Sequence, residues 1–231
     1  MFRKHRIRKI ALVAFPLFAS VAFAGDSALD RWANAVGGRE RIRAVKSIYR
    51  EGTIEYGGME GTIKVWHTAD GKYRKEERIA TYSLIETFDG FDGASQQGDA
   101  PPHQMTQAES ELATSRRFAN ANAMFFAFFP ERRRGSVDIE ADGTIVLKPE
   151  GGVEWRVTLD PRTSLPKTMV HQEGKQTITV TLGSYQTVDG IKFETEVRRS
   201  AGDPARGAVI HFTKTVLNSP IDPALFSIAA K

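Results

Sequence analysis

Histidine and acidic side chains are the residue types here that could perform acid–base or metal chemistry, but their spacing builds no site. Beyond residue 24 the histidines are scattered, and no H-x-x-x-H or H-x-H pair presents two metal ligands together. These histidines are His67, His103, His171 and His211. Residues 89–93 lack the alternating acids and the terminal glutamate of an EF-hand loop.

Motifs for nucleophilic, nucleotide-dependent or aspartic-protease chemistry are also absent. The sequence contains no G-x-S-x-G, Walker or dinucleotide-binding pattern, and no Asp-Thr/Ser-Gly. We therefore expect a protein that is not an enzyme and needs no metal ion or other cofactor. A hydrolase stays open as a third class of function.

Two segments could bind a ligand rather than transform one. Residues 124–129 contain four phenylalanines in six positions, which is typical either of a helix end plugged into a core or of a wall of an acyl-binding cavity. Residues 132–134 are three consecutive arginines. They fit either a solvated charge run or a mouth that meets anionic head groups or an acidic partner surface.

The first 24 residues have the three parts of a secretory signal peptide. Five basic residues precede Ile10, an apolar run extends to Phe23, and residues 22–24 form an A-x-A cleavage site. The run is shorter than the roughly 20 residues of a membrane-spanning helix. We expect cleavage after Ala24, with an uncleaved anchor as the alternative. Residues 25–231 are then a single domain in the periplasm of a Gram-negative-type bacterium.

Charge and cysteine content exclude several classes of protein. The chain has 32 Lys and Arg against 28 Asp and Glu, and removal of the five bases before Ile10 leaves 27 against 28. The basic pI therefore belongs mostly to the export signal and does not indicate a nucleic-acid partner. The chain has no cysteine, which excludes disulfides, thiolate chemistry and a lipid anchor at the cleavage site.

Helix signals occur in two places. Residues 27–30 form a capping box, and Gly37-Gly38 ends the helix that follows. The apolar stripe of that helix consists of Leu29, Trp32, Ala33 and Val36. Residues 39–45 predict a further short helical turn. A second capping box at 106–109 predicts a helical insert at about 106–129, running to about Phe128 and stopped by Pro130.

The remaining chain alternates with the period of β-strands. Runs 47–56, 59–67, 72–79 and 82–88, separated mostly by Gly-Gly or Asp-Gly, predict an antiparallel meander. Residues 90–105 are predicted to be a loop. Later runs are 137–141, 144–147, 153–159, 166–172, 176–182, 185–187, 191–198 and 207–217. The charged face of the meander, expected in solvent, comprises Glu51, Glu55, Lys64, Arg74 and Glu76.

Several turn-centred segments belong together: 35–38 leading to 42–47, 86–90, 160–167, 185–193 and 217–226. They resemble segments of exported bacterial proteins of the LolA/LolB-like superfamily of outer-membrane lipoprotein-sorting and carrier proteins. The resemblance implies a mainly β (α+β) fold, in which a curved antiparallel sheet or unclosed β-barrel has helices covering its concave side. It also implies an apolar cavity that binds the acyl chains of lipoproteins, while relatives of this architecture also act as stress-signalling sensors.

Strand parity and helix position select six aromatic residues as candidates to line such a cavity, although an ordinary core would use the same ones. They are Trp66, Phe88, Phe125, Phe126, Trp155 and Phe193. We therefore expect a soluble periplasmic lipid- or lipoprotein-binding protein whose partners are acyl chains or an acylated protein. The alternative is an envelope sensor or protein-interaction domain of the same fold, with its cavity filled by its own side chains.

Overall fold

The computed structural model describes residues 27–119, 126–203 and 206–228. The predicted signal peptide, its cleavage site after Ala24, and Phe125 lie outside the described residues. Within the described ranges, no helix combines the length and the apolar character needed to cross a membrane.

Thirteen strands form one antiparallel sheet. They are β1 (Ser47–Tyr56), β2 (Met59–Thr68), β3 (Tyr73–Ile79), β4 (Tyr82–Phe88), β5 (Gly93–Gln97), β6 (His103–Gln104), β7 (Gly135–Ile139), β8 (Ile145–Pro149), β9 (Trp155–Leu159), β10 (Pro166–Glu173), β11 (Gln176–Val188), β12 (Ile191–Ala201) and β13 (Ala208–Leu217). Their order across the sheet is β6-β5-β4-β3-β2-β1-β13-β12-β11-β10-β9-β8-β7. Strands β6 and β7 are the two edges, so the sheet is not closed into a barrel, and the mainly β prediction is confirmed.

The strand assignments need two corrections. The predicted loop at 90–105 contains β5 and β6, which pattern analysis missed because β5 has no β-branched or aromatic residue and pairs with β4 through its backbone. Runs 176–182 and 185–187 belong to one strand, β11. Ser184, at φ +50°, is a local irregularity in that strand and does not end it.

Three α-helices lie on one side of the sheet: α1 (Ala28–Ala35), α2 (Arg39–Ala44) and α3 (Gln107–Ala119). The capping box of α1 is present, with Ser27 Oγ accepting from the amide of Asp30 at 3.1 Å. The face of α1 that carries Trp32 is buried against the sheet, as its apolar stripe predicts. A short 3-10 helix (Pro223–Phe226) packs against β3 and β4 near the end of the chain.

The predicted helix does not extend to Phe128. Helix α3 runs to Ala119, and residues 126–128 form a turn. Phe126, Ala127, Phe128 and Phe129 are all buried. Successive side chains of a helix point in directions about 100° apart, so burying four in a row favours a turn that is surrounded on every side.

Helix α3 shows that the sheet is strongly curved. Its Arg116 meets Glu86 on β4, and its Ser115 Oγ accepts from the amide of Val153, beside β9, at 2.6 Å; α3 also packs on β8. In a flat sheet β4 and β8 would be roughly 40 Å apart at the usual strand spacing. One helix with a diameter of about 10–12 Å reaches both only across a concave face.

A network of ion pairs fixes α3 to the concave face. Lys75 Nζ lies 2.6 Å from Glu86 Oε2 and 3.2 Å from Glu77 Oε1, while Arg116 Nη1 lies 3.2 Å from Glu86 Oε2. Burial alone would raise the pKa of Glu86, but the charges of Lys75 and Arg116 outweigh it and lower the pKa to about 2. Glu86 therefore stays ionised and holds two cations that are shielded from solvent.

Replacing this carboxylate tests its role. Glu86→Gln is expected to lower the free energy of unfolding by about 3–5 kcal/mol, because Lys75 and Arg116 lose their buried counter-charge. Urea unfolding monitored by circular dichroism measures the loss. The matched control is Glu140→Gln, which removes an exposed pair with Arg156 and should cost less than about 1 kcal/mol. Equal losses for the two variants would contradict the role assigned to Glu86.

The same variant has a pH signature. Since the folded-state pKa of Glu86 is lowered from 4.5 to about 2, its contribution to stability is present above about pH 4.5 and is lost as the pH falls toward 2. Glu86→Gln should therefore lose stability less steeply than the wild type in this window. A residual slope is expected from Glu173, whose pKa is also lowered to about 2 despite the opposing effect of burial.

Candidate functional site

Residues 126–129, here called the aromatic turn, fill the space between the helices and the sheet. Phe126, Ala127, Phe128 and Phe129 belong to the main apolar core together with residues of α1, α2 and strands β8–β12. The ring of Phe128 meets Trp32 edge to face, with centroids 5.0 Å apart. Most of the interior that could shelter hydrocarbon is thus occupied by the protein's own side chains.

Arginines from three parts of the chain hold the aromatic turn. The guanidinium groups of Arg43 and Arg132 each lie 4.9 Å from the centre of the Phe129 ring, and Arg117 lies 4.7 Å from that of Phe126. Such contacts are worth about 0.5–2 kcal/mol each.

Backbone carbonyls of the same turn also receive arginine hydrogen bonds. Arg39 Nε donates to the carbonyl of Phe128 and Arg133 Nη1 to that of Ala127, both at 3.2 Å. The three consecutive arginines at 132–134 are therefore not a uniform solvated run. Arg132 and Arg133 are half-buried against the turn, and only Arg134 is exposed.

A pocket of about 170 Å³ remains beside the aromatic turn. Phe88, Phe118 and Phe126 form its apolar lining, and all three are buried. Helix α3 adds Thr114 and Arg117, and the turn between β4 and β5 adds Gly90 and Phe91. The remaining lining residues are Arg134, Pro149 and Glu150. The pocket therefore combines three buried phenylalanine rings with an accessible surface that is mostly polar, and two arginines lie at its mouth.

Elsewhere the concave face carries buried charges beside a second apolar cluster of Ile54, Ile63, Val65, Ile79 and Phe212. Arg50 on β1 is fully buried, with its Nη1 2.7 Å from Glu194 Oε1 and its guanidinium 3.6 Å from the centre of the Phe212 ring. Nearby His67 is also buried, and burial together with the charge of Arg50 lowers its pKa to about 3. Buried charges of this kind are unfavourable neighbours for a hydrocarbon chain.

One histidine–carboxylate pair resembles part of a catalytic arrangement. His171 Nε2 lies 2.9 Å from Glu173 Oε1, and the imidazole stacks on Trp155 with ring centroids 4.0 Å apart. Glu173 also pairs with Arg199. Within the described residues, His171 Nδ1 has no hydrogen-bond partner, so no hydroxyl nucleophile is held there, and no group of three or more His, Cys, Asp or Glu side chains could hold a metal ion.

The structure brings two of the six candidate cavity residues to the pocket, Phe88 and Phe126. Trp66 lies on the opposite face of the sheet from Phe88. His67 pairs with Tyr73, and Tyr73 pairs with Phe88, so His67 shares the face of Phe88. Trp66 is next to His67 in β2 and therefore points to the other face. The other described candidates are core residues away from the pocket. Trp155 stacks on His171, and Phe193 is buried in the main core.

Sequence reasoning missed the pocket residues Arg117, Phe118 and Phe91. Phe118 lies four residues after Thr114 on α3, so the two residues share a face of the helix. This spacing could have identified Phe118 as a pocket residue. Phe91 follows Asp89, whose Oδ1 accepts from the Phe91 amide at 2.9 Å. This turn projects an aromatic ring that is 76% exposed, an orientation that alternation in the neighbouring strands does not predict.

Comparison with solved structures identifies the fold. The chain is similar to a LolA superfamily protein from Nitrosomonas europaea, with a TM-score of 0.56 and 9% identity over 87% of this chain and 96% of that chain. It is also similar to a DUF1329 family protein from Desulfovibrio piger, with a TM-score of 0.53 and 13% identity over 87% of this chain and 95% of that chain. No protein-family model and no curated protein match the chain. The fold is LolA-like, as the resemblance in the sequence implies.

Truncation of the aromatic turn tests its part in the core. Phe128→Ala is expected to lower the free energy of unfolding by about 3–5 kcal/mol, because it leaves a cavity against Trp32. Phe91→Ala removes the same ring from an exposed position and should change stability by no more than about 0.5 kcal/mol. Urea unfolding of both variants gives the comparison. A Phe128→Ala protein as stable as Phe91→Ala would show that the turn does not fill the interior.

Proposed function

We propose that this chain is an exported, non-enzymatic protein of the bacterial envelope that binds the hydrocarbon end of a lipid or an acylated protein. The observation that supports this most directly is the pocket between α3 and the turn from β4 to β5, with its lining of Phe88, Phe118 and Phe126. The pocket lies where the helices meet the concave face. The N-terminal sequence pattern supports export, with Gly25 as the first residue of the mature protein.

The size of the pocket limits what it holds. Its volume of about 170 Å³ is close to that of an engineered cavity of about 150 Å³ that binds benzene, and it is below the roughly 300–1,000 Å³ of pockets for drug-sized ligands. The pocket therefore accepts one ring or the end of one hydrocarbon chain. Several complete acyl chains would not fit beside the aromatic turn.

Affinity follows from this size. Burying about four methylene groups contributes about 3 kcal/mol, which alone corresponds to a Kd weaker than about 1 mM, before the cost of ordering the chain. A ligand that binds more tightly must also make contacts outside the pocket. The pocket thus recognises the apolar end of a ligand, and contacts at the mouth supply the remaining affinity.

A protein-interaction domain without a lipid ligand is the second candidate. The filling of the interior by the aromatic turn favours it, because a self-filled core leaves the surface as the main place for contacts. Mass spectrometry of the protein purified without detergent separates the two. A co-purifying acylated molecule supports the first function, and a stably bound protein without lipid supports the second.

A filled-pocket variant tests the proposed function. The wild type should bind 1-hexanol, seen as saturable NMR shifts of pocket amides, and Thr114→Phe should abolish these shifts because the new ring occupies the pocket. Thr158→Phe places the same ring on an exposed strand position and should leave binding unchanged. The protein is recovered from the periplasm, where its N-terminus is expected to be Gly25. Equal binding by both variants, with both folded, would rule out the pocket as the site.

A further inference from the structure

The mouth of the pocket places two arginines beside two phenylalanine rings. Arg117 lies over Phe126 at 4.7 Å and donates a hydrogen bond to the carbonyl of Gly90. Arg134 lies 6.0 Å from the centre of the Phe91 ring. Both guanidinium groups line the same pocket, so their positive charges act on whatever enters it.

Neither arginine has an acidic partner in the described part of the chain. No carboxylate oxygen there lies within 4.0 Å of either guanidinium group, although Glu150 lines the pocket. The adjacent Arg116 differs, since it forms an ion pair with Glu86. Helix α3 thus carries one arginine that is ion-paired inside the fold and one that lines the pocket, with no carboxylate of the described residues in contact with its guanidinium group.

The positive charges of Arg117 and Arg134 repel each other. Burial, and then the charge of Arg134, lowers the pKa of Arg117, while the charge of Asp70 acts in the opposite direction. Like charges gathered at a partly enclosed site are stabilised when an anion binds between them. Guanidinium groups suit this role because they donate paired hydrogen bonds to carboxylate and phosphate oxygens.

We infer that Arg117 and Arg134 bind the anionic head group of an amphiphile whose hydrocarbon end enters the pocket. The head group is a phosphate ester or a carboxylate, because both offer the oxygens that guanidinium groups recognise. The exposed ring of Phe91 lies beside Arg134 and provides apolar contact for the part of the chain nearest the head group. This assignment rests on the proposed function and names the chemical class of its ligand.

Matched probes with one tail test the inference. Hexyl phosphate and hexanoate should each bind the wild type at least about tenfold more tightly than 1-hexanol at low salt, as expected for added charge-assisted hydrogen bonds. Arg134→Gln should reduce this preference to about threefold or less. Arg134→Lys keeps the charge and should retain part of the preference. Arg162→Gln, at an exposed turn, is the control and should have no effect.

The outcomes distinguish this inference from the proposed function. Equal binding of 1-hexanol and the two anions, or an undiminished preference in Arg134→Gln, overturns the head-group assignment while the apolar pocket stands. Inorganic phosphate that binds as tightly as hexyl phosphate also overturns it, since the site would then recognise a free anion. If none of the six-carbon probes binds, the proposed function is overturned as well. NMR titration of the full mature protein measures each case.

Discussion

The packing of the aromatic turn into the concave face is the interaction on which the rest of the structure depends. Phe126, Phe128 and Phe129 contribute three buried rings from four consecutive positions. Because these rings must be surrounded on all sides, the sheet has to curve around them and the helices have to close over them. Arginines over the rings then cover the turn through cation–π contacts.

This packing divides the concave side into regions with different chemistry. The part under α1 and α2 is filled by the aromatic turn, whereas strands β1, β3, β4 and β12 carry buried ion pairs, such as Arg50 with Glu194, beside a second apolar cluster. The pocket lies where these regions meet α3. A LolA-like fold can therefore keep the architecture of a carrier while leaving space for only the end of an apolar chain.

Local signals in the sequence predicted most of the elements, because capping boxes and Gly-Gly or Asp-Gly turns depend on neighbouring residues only. The buried pair of Arg50 and Glu194 could not be predicted, since its partners are 144 positions apart. Strand parity selected Trp66 for the cavity, but its neighbour Val65 is also apolar, so alternation does not say which of the two faces inward. The turn at 126–128 differs from the predicted helix because four consecutive side chains are buried there, which a helix does not allow.

The dependence of affinity on chain length is the most direct test of the central claim that the aromatic turn leaves space for only the end of one chain. Neutral alkyl glucosides with tails from butyl to decyl, used below their micelle concentrations, can be titrated into the mature protein by NMR. The account predicts that affinity rises by about fourfold per methylene for the shortest tails and then levels off by the octyl compound. An unbroken rise through the decyl compound would contradict it, because the interior would then have to admit a whole chain.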